Sequence, residues 1–232
     1  MNKKLSSLIC VALIIIISIP VISIAFAVKP DKGPIEKKVF IHRVKPDKPG
    51  KPPKDDKGGG GKEWYKYSGI HWASTDLPVT YVVDYELDLG VIVTSFETWD
   101  SETSTELFFI GEPGEITAGI IDGTNALSYG DDSRAGVIAV TYIWYFGNTG
   151  EIIEVDTLFD VDFNWGDATG DPDAMDLRNI ATHEFGHWLL LEDLYNRPAR
   201  TQTMYGYSTE GETIKRTLES GDIAGIQEIY GE

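Results

Sequence analysis

One cysteine, four histidines and hardly any positive charge beyond residue 62 set the first limits on this 232-residue chain. Cys10 is the sole thiol, and it lies inside an apolar N-terminal run. Disulfide staples and thiol chemistry are therefore excluded from everything downstream. The fold must rest on an ordinary core, helped at most by metal. The shortage of base is as telling. The chain is at −17 overall; residues 29–62 hold 11 Lys and Arg against 5 Asp and Glu, and the first residues add two lysines, which leaves −25 on residues 63–232. A domain that acidic offers no groove for nucleic acid. Its charge suits solubility, with calcium binding or a basic substrate as the other uses. No internal repeat is present.

Residues 1–27 have the form of a secretory signal peptide. Asn2, Lys3 and Lys4 make a short basic start, Leu8 to Val28 carry no charge, and Ala25-Phe26-Ala27 ends the run as a small-x-small cleavage site. The alternative is an uncleaved anchor, since 21 uncharged residues just span a bilayer. Pro20 and the Ala-x-Ala end favour cleavage. The expected location is extracellular, or the cell surface if the segment is retained. Residues 28–62 form a Lys/Pro/Gly-rich spacer or pro-segment, with KPDKPGKPPKDDKGGGGK at 45–62. So little apolar content predicts no packed core, with an extended, solvated chain that is loosest at Gly58–Gly61. Val39–Val44 is its one mildly apolar patch. His42 within it, and His71 further on, are read as structural or exposed.

The globular part is taken as 63–232. PVTYVVDY at 78–85 alternates and is rich in β-branched and aromatic residues, which predicts a strand. Asp88 is placed to cap a helix over Leu89–Trp99. Leu107–Ile110 reads as a short strand, DGTN at 122–125 as a turn, and the apolar run Gly136–Phe146 as a central strand. GNTG at 147–150 signals a hairpin returning through Glu151–Asp160. Asp176 is placed to cap a helix running from Leu177 to about Leu190, and Glu219–Tyr230 closes the chain as a helix. This order of elements predicts a mixed α+β domain.

The decisive stretch is HEFGHWLLLED, 183–193. His183 and His187 are four apart, so they lie about 40° apart on one helix face. Neutral imidazoles so placed can share one Zn²⁺. Glu184, one position on, can reach a metal-bound water, which is the H-E-x-x-H logic of two ligands and a general base. A core helix with two satisfied histidines is the plainer reading, but two of the four histidines in this spacing beside a glutamate weigh against it. Catalytic zinc takes three protein ligands and keeps one position open. No histidine follows His187, and Asp193, six residues on, is the best candidate, with Glu192 as rival and Asp156, Asp160 and Asp162 more remote.

These residues resemble the metzincin zinc endopeptidases, whose pattern is H-E-x-x-H-x-x-G-x-x-H/D followed by a Met-turn. Within them the chain is most similar to matrixin-like proteases, or to small secreted metzincins that use Asp as third ligand. THEFGHWL at 182–189, TMYGY at 203–207 and GDIAGIQEIYG at 221–231 carry the likeness, and it covers most of 75–231. The resemblance implies a zincin fold: a mixed twisted sheet, an active-site helix and a C-terminal helix. It implies His183, His187 and Asp193 as zinc ligands, Glu184 as base, and Met204 as the hydrophobic floor. Tyr205, Gly206 and Tyr207 would form the wall of a substrate pocket, with Gly206 where matrixins usually have proline. Leu190 stands where the family has a glycine that turns the chain after the helix, and a Leu forced to positive φ costs about 1–2 kcal/mol. The family's cysteine-based latency and its histidine-rich structural zinc site both have no counterpart. Asp167, Asp171, Asp173 and Asp176 offer calcium ligands without EF-hand spacing. The expected function is secreted, zinc-dependent hydrolysis of protein or peptide substrates. The alternative is a membrane-tethered metal-binding surface domain without hydrolytic activity.

Overall fold

The structure is a computed structural model, and it describes residues 32–46, 64–109 and 111–232. The expected signal segment and the proline- and glycine-rich stretch 47–62 lie outside the described residues. In chain order the elements are β1 (Ile35–Val44), β2 (Val82–Asp84), α1 (Leu89–Asp100), β3 (Glu112–Gly114), β4 (Ala126–Gly130), β5 (Val137–Phe146), β6 (Ile152–Asp160), β7 (Trp165–Gly166), β8 (Met175–Asp176), α2 (Leu177–Trp188), β9 (Tyr207–Ser208) and α3 (Ser220–Tyr230). Short 3₁₀ turns occupy Arg197–Ala199 and Ile214–Arg216.

Seven strands form one mixed sheet in the order β3-β2-β4-β6-β5-β1-β9, and β7 pairs with β8 apart from it. β2, β3, β4 and β6 run parallel, whereas β5 pairs antiparallel with β6 and with β1. The apolar run of β5 is explained by its position: Val137 to Val140 and Ile143 are all buried. Helices α1 and α2 pack on each other through aromatics. Phe96 stacks on Phe185 with centroids 3.5 Å apart, and the Trp99 indole N–H donates to the Thr182 carbonyl at 2.8 Å. The Trp72 indole likewise donates to the Trp188 carbonyl at 2.9 Å. Each helix starts where its cap residue predicts. Asp88 accepts from the Val91 amide, Asp176 from the Asn179 amide, and Glu219 with Asp222 makes a capping box. This is the α+β architecture that the order of elements predicts.

The differences are instructive. The strand expected at 78–85 is reduced to Val82–Asp84, with Val79 making only an isolated bridge to Phe108. After the expected turn at 122–125 the chain forms a further strand, β4, that the sequence reading does not include. The largest correction concerns the segment expected to be a solvated spacer without a core: Ile35–Val44 is a full strand of the sheet. Averaged over the whole segment, charge and proline hide a short amphipathic strand. Phe40 and His42 alternate inward and are buried. Lys37 and Lys38 stay at the surface, Lys37 over the rings of Tyr142 and Trp144 at 4.2 and 4.4 Å and Lys38 paired to Glu192 at 2.5 Å.

Candidate metal centre and peptide groove

Helix α2 carries His183 and His187 on one buried face, with neither side chain exposed. Their ring nitrogens divide the work. His183 Nδ1 faces the Thr203 carbonyl at 2.6 Å and His187 Nδ1 the Leu191 carbonyl at 2.7 Å. A carbonyl only accepts, so both Nδ1 atoms carry hydrogen and both Nε2 atoms present lone pairs. Those Nε2 atoms are buried without a hydrogen-bond partner, and so is Asp193 Oδ1. Asp193 Oδ1 lies 3.3 Å from His183 Nε2 and 3.5 Å from His187 Nε2. Three electron-rich atoms converging in a buried place repel one another unless a cation lies among them. Tetrahedral ligands about 2.0–2.1 Å from a zinc ion stand about 3.3 Å from one another, so the set fits that ion.

The turn that brings Asp193 back is made by Leu190. Its φ is 65°, the left-handed conformation in which the family keeps glycine. The Leu190 amide bonds the His187 carbonyl at 2.9 Å and the Leu191 amide bonds the Gly186 carbonyl at 3.0 Å, which together form a Schellman motif. The helix therefore stops at Trp188 and not at Leu190. The strain of about 1–2 kcal/mol is offset by burial, because the Leu190 side chain is fully enclosed in the core.

Glu184 is fully buried beside the histidines. Thr141 of β5 donates to its Oε2 at 2.6 Å, and His42 Nδ1 lies 3.1 Å from its Oε1. Burial opposes ionisation, yet the hydrogen bond from His42 leads the influences that lower its pKa overall. Beneath the helix, Met204 is fully buried against Gly186, where an added Cβ would stand 2.2 Å from the Met204 sulfur. Asp222 of α3 fixes that turn by accepting the Thr203 and Met204 amides at 2.8 and 3.1 Å. The chain then runs through Tyr205 and Gly206 into β9, where Tyr207 and Ser208 pair with Arg43 and Val44. Gly206 is packed so closely that a Cβ would meet the Tyr195 ring at 2.5 Å.

The rival carboxylates point elsewhere. Glu192 pairs with Lys38, Asp156 accepts the Gly119 and Ala126 amides, and Asp160 accepts those of Asp132 and Asp162. In the acidic loop, Asp167 and Asp176 are both bound by Arg216. His71 makes an isolated bridge to Glu151, away from the site. Sequence reasoning missed four residues here: His42, Thr141, Ser208 and Lys215. The alternation of VFIHRV at 39–44 was the one available signal for His42. The other three reach the site from distant parts of the chain.

The matrixin family profile matches residues 71–231. This chain is a matrixin. It is 30% identical to the hatching enzyme of Paracentrotus lividus over 175 residues, 71% of this chain and 27% of that protein. It is 30% identical to the matrilysin of Felis catus over 162 residues, 66% of this chain and 58% of the relative. Karilysin of Tannerella forsythia is 25% identical over 175 residues, 72% of this chain and 34% of its own length. The chain thus spans less than two thirds of each of these relatives. Strand β1 lies outside the matched residues.

Proposed function

We propose that this matrixin is a secreted zinc-dependent endopeptidase, with His183, His187 and Asp193 holding the ion and Glu184 acting as general base. The observation that carries the reading is the trio of buried, unpartnered ligand atoms, two imidazole nitrogens and one carboxylate oxygen. A zinc ion bound there supplies a Lewis acid that polarises a peptide carbonyl and makes water acidic. The protein does the rest. Glu184 accepts a proton from the attacking water and delivers it to the nitrogen of the departing amine. Thr141 holds one oxygen of that carboxylate, Oε2, and so fixes its orientation. The two backbone carbonyls on the Nδ1 atoms fix both imidazole orientations. Met204 under Gly186 keeps the helix face rigid. An extended peptide would pair with β5 in the antiparallel place that β1 holds. Secretion rests on the form of the N-terminal segment; among the described residues no helix is long and apolar enough to cross a membrane.

Glu184→Gln in the full chain tests the reading. It should retain one zinc per chain and lose turnover of a quenched peptide by about 100-fold or more. Normal cleavage by that variant would refute the base assignment. Zinc bound by a wild-type chain that cleaves nothing would favour the tethered, non-hydrolytic binding domain.

A further inference from the structure

The groove is already filled by the chain itself. β1 runs antiparallel to β5, from Ile35 opposite Phe146 to Arg43 opposite Val137, and then parallel to β9 at Tyr207 and Ser208. It thus makes main-chain bonds on both sides, as an added peptide strand does. Its inward side chains sit on the ligand residues. The Phe40 ring stacks on His187 with centroids 3.9 Å apart and interplanar angle 2°, and the His42 ring meets the edge of His183 at 4.0 Å. Alternation places Ile41 between them with its side chain on the opposite face. The backbone from Phe40 to His42 therefore spans the two histidines.

The pocket that takes His42 is polar to its floor. Lys215 is fully buried, and its ammonium donates to Ser208 Oγ at 2.6 Å and to the Tyr207 carbonyl at 2.8 Å while pairing with Glu212. An ammonium only donates, so Ser208 Oγ accepts from it and keeps its own hydrogen to give. His42 Nε2 is 3.0 Å from that hydroxyl, nearer than the Glu212 oxygen at 3.3 Å. His42 Nδ1 then carries the hydrogen donated to Glu184 Oε1 at 3.1 Å. A single imidazole satisfies both ends of the pocket. An aliphatic side chain leaves a Glu184 oxygen facing carbon and the Ser208 hydroxyl only its longer contact to Glu212 at 3.3 Å, a loss that buried polar groups resist.

We propose that Ile35–Val44 is docked in the groove as a substrate-like strand that blocks it, and that the pocket floored by Ser208 and Lys215 selects histidine at the position His42 holds. This rests on the endopeptidase reading only for its consequence in catalysis. In a peptide bound the same way, the bond cut joins the residues at the Ile41 and His42 positions. Water oxygen joins the carbonyl carbon, the C–N bond breaks, and the freed amine takes the proton held by Glu184.

The test uses the full, zinc-loaded chain and two synthetic peptides, KKVFIHRV and KKVFILRV. Amide hydrogen exchange at residues 37–43 should be slow and should accelerate when either peptide displaces the strand. The histidine peptide should do so at about tenfold lower concentration than the leucine peptide. Lys215→Met should erase that preference; if it does not fold, Ser208→Ala serves. Equal potency of the two peptides, or strand amides that exchange as fast as an unfolded chain, would overturn the proposal. In parallel, His42→Leu should raise cleavage of a peptide mixture, and new N-termini read by mass spectrometry should begin with His over Leu by about tenfold. If no variant cuts any peptide while displacement keeps its preference for histidine, the docking stands and the endopeptidase reading falls.

Discussion

His183 on α2 and His42 on β1 are both fully buried imidazoles, in contact across one groove, yet they are held in opposite ways. His183 is anchored by a backbone carbonyl and leaves Nε2 without a partner. His42 has both nitrogens engaged by side chains. An imidazole oriented by backbone with one lone pair spare is built to receive an ion. An imidazole satisfied on both sides is built to fill a place. The same contrast extends to the elements. α2 is enclosed by α1, the methionine turn and the sheet, whereas β1 is held by ladder bonds and two inward rings. The first region should resist change, and the second should be releasable.

That contrast can be broken at several points. The largest effect belongs to Asp193→Ala, which removes one of the three proposed ligand atoms; zinc affinity should fall by at least about 100-fold, read by metal competition. Unchanged affinity would move the third ligand elsewhere. Phe40→Ala removes the ring stacked on His187. Exchange of the β1 amides should quicken by roughly 100-fold while zinc content stays the same. If the whole protein unfolds instead, β1 is part of the core and not a detachable strand. On the α2 side, Gly186→Ala forces a methyl into the Met204 sulfur and the Trp99 ring, 2.2 and 2.8 Å from an ideal Cβ. Denaturant unfolding should show a loss of about 1–3 kcal/mol. The smallest effect is Leu190→Gly. Relief of about 1–2 kcal/mol of backbone strain nearly offsets about 1.5–3 kcal/mol of lost burial. A loss near 1 kcal/mol with activity retained is expected, and a larger one would mean that the leucine side chain, more than the turn, sets this end of the helix.

The two regions were also unequally legible. Metal binding imposes a four-residue spacing on a helix, so His183, Glu184 and His187 announce themselves locally. Asp193 follows because its turn is local too, although Leu190 in the glycine position obscured it. The caps Asp88 and Asp176 are equally local, and both helices begin beside them. β1 has no such signal. Its partners in β5 lie about a hundred residues away, and its apolar alternation is diluted by lysines that stay in water. Thr141, Ser208 and Lys215 reach the site from β5, β9 and the turn at Ile214–Arg216, and only the folded sheet brings them there. The fold class was legible from the order of elements; the occupant of the groove was not.

Three buried atoms of α2 and the turn after it are proposed to hold one zinc ion. X-ray absorption at the zinc edge on the loaded full chain tests it most directly. One zinc per chain is expected, with two imidazole nitrogens and a carboxylate oxygen about 2.0–2.1 Å from the metal. A chain that binds no zinc, or a zinc whose shell lacks the two imidazoles, would contradict it.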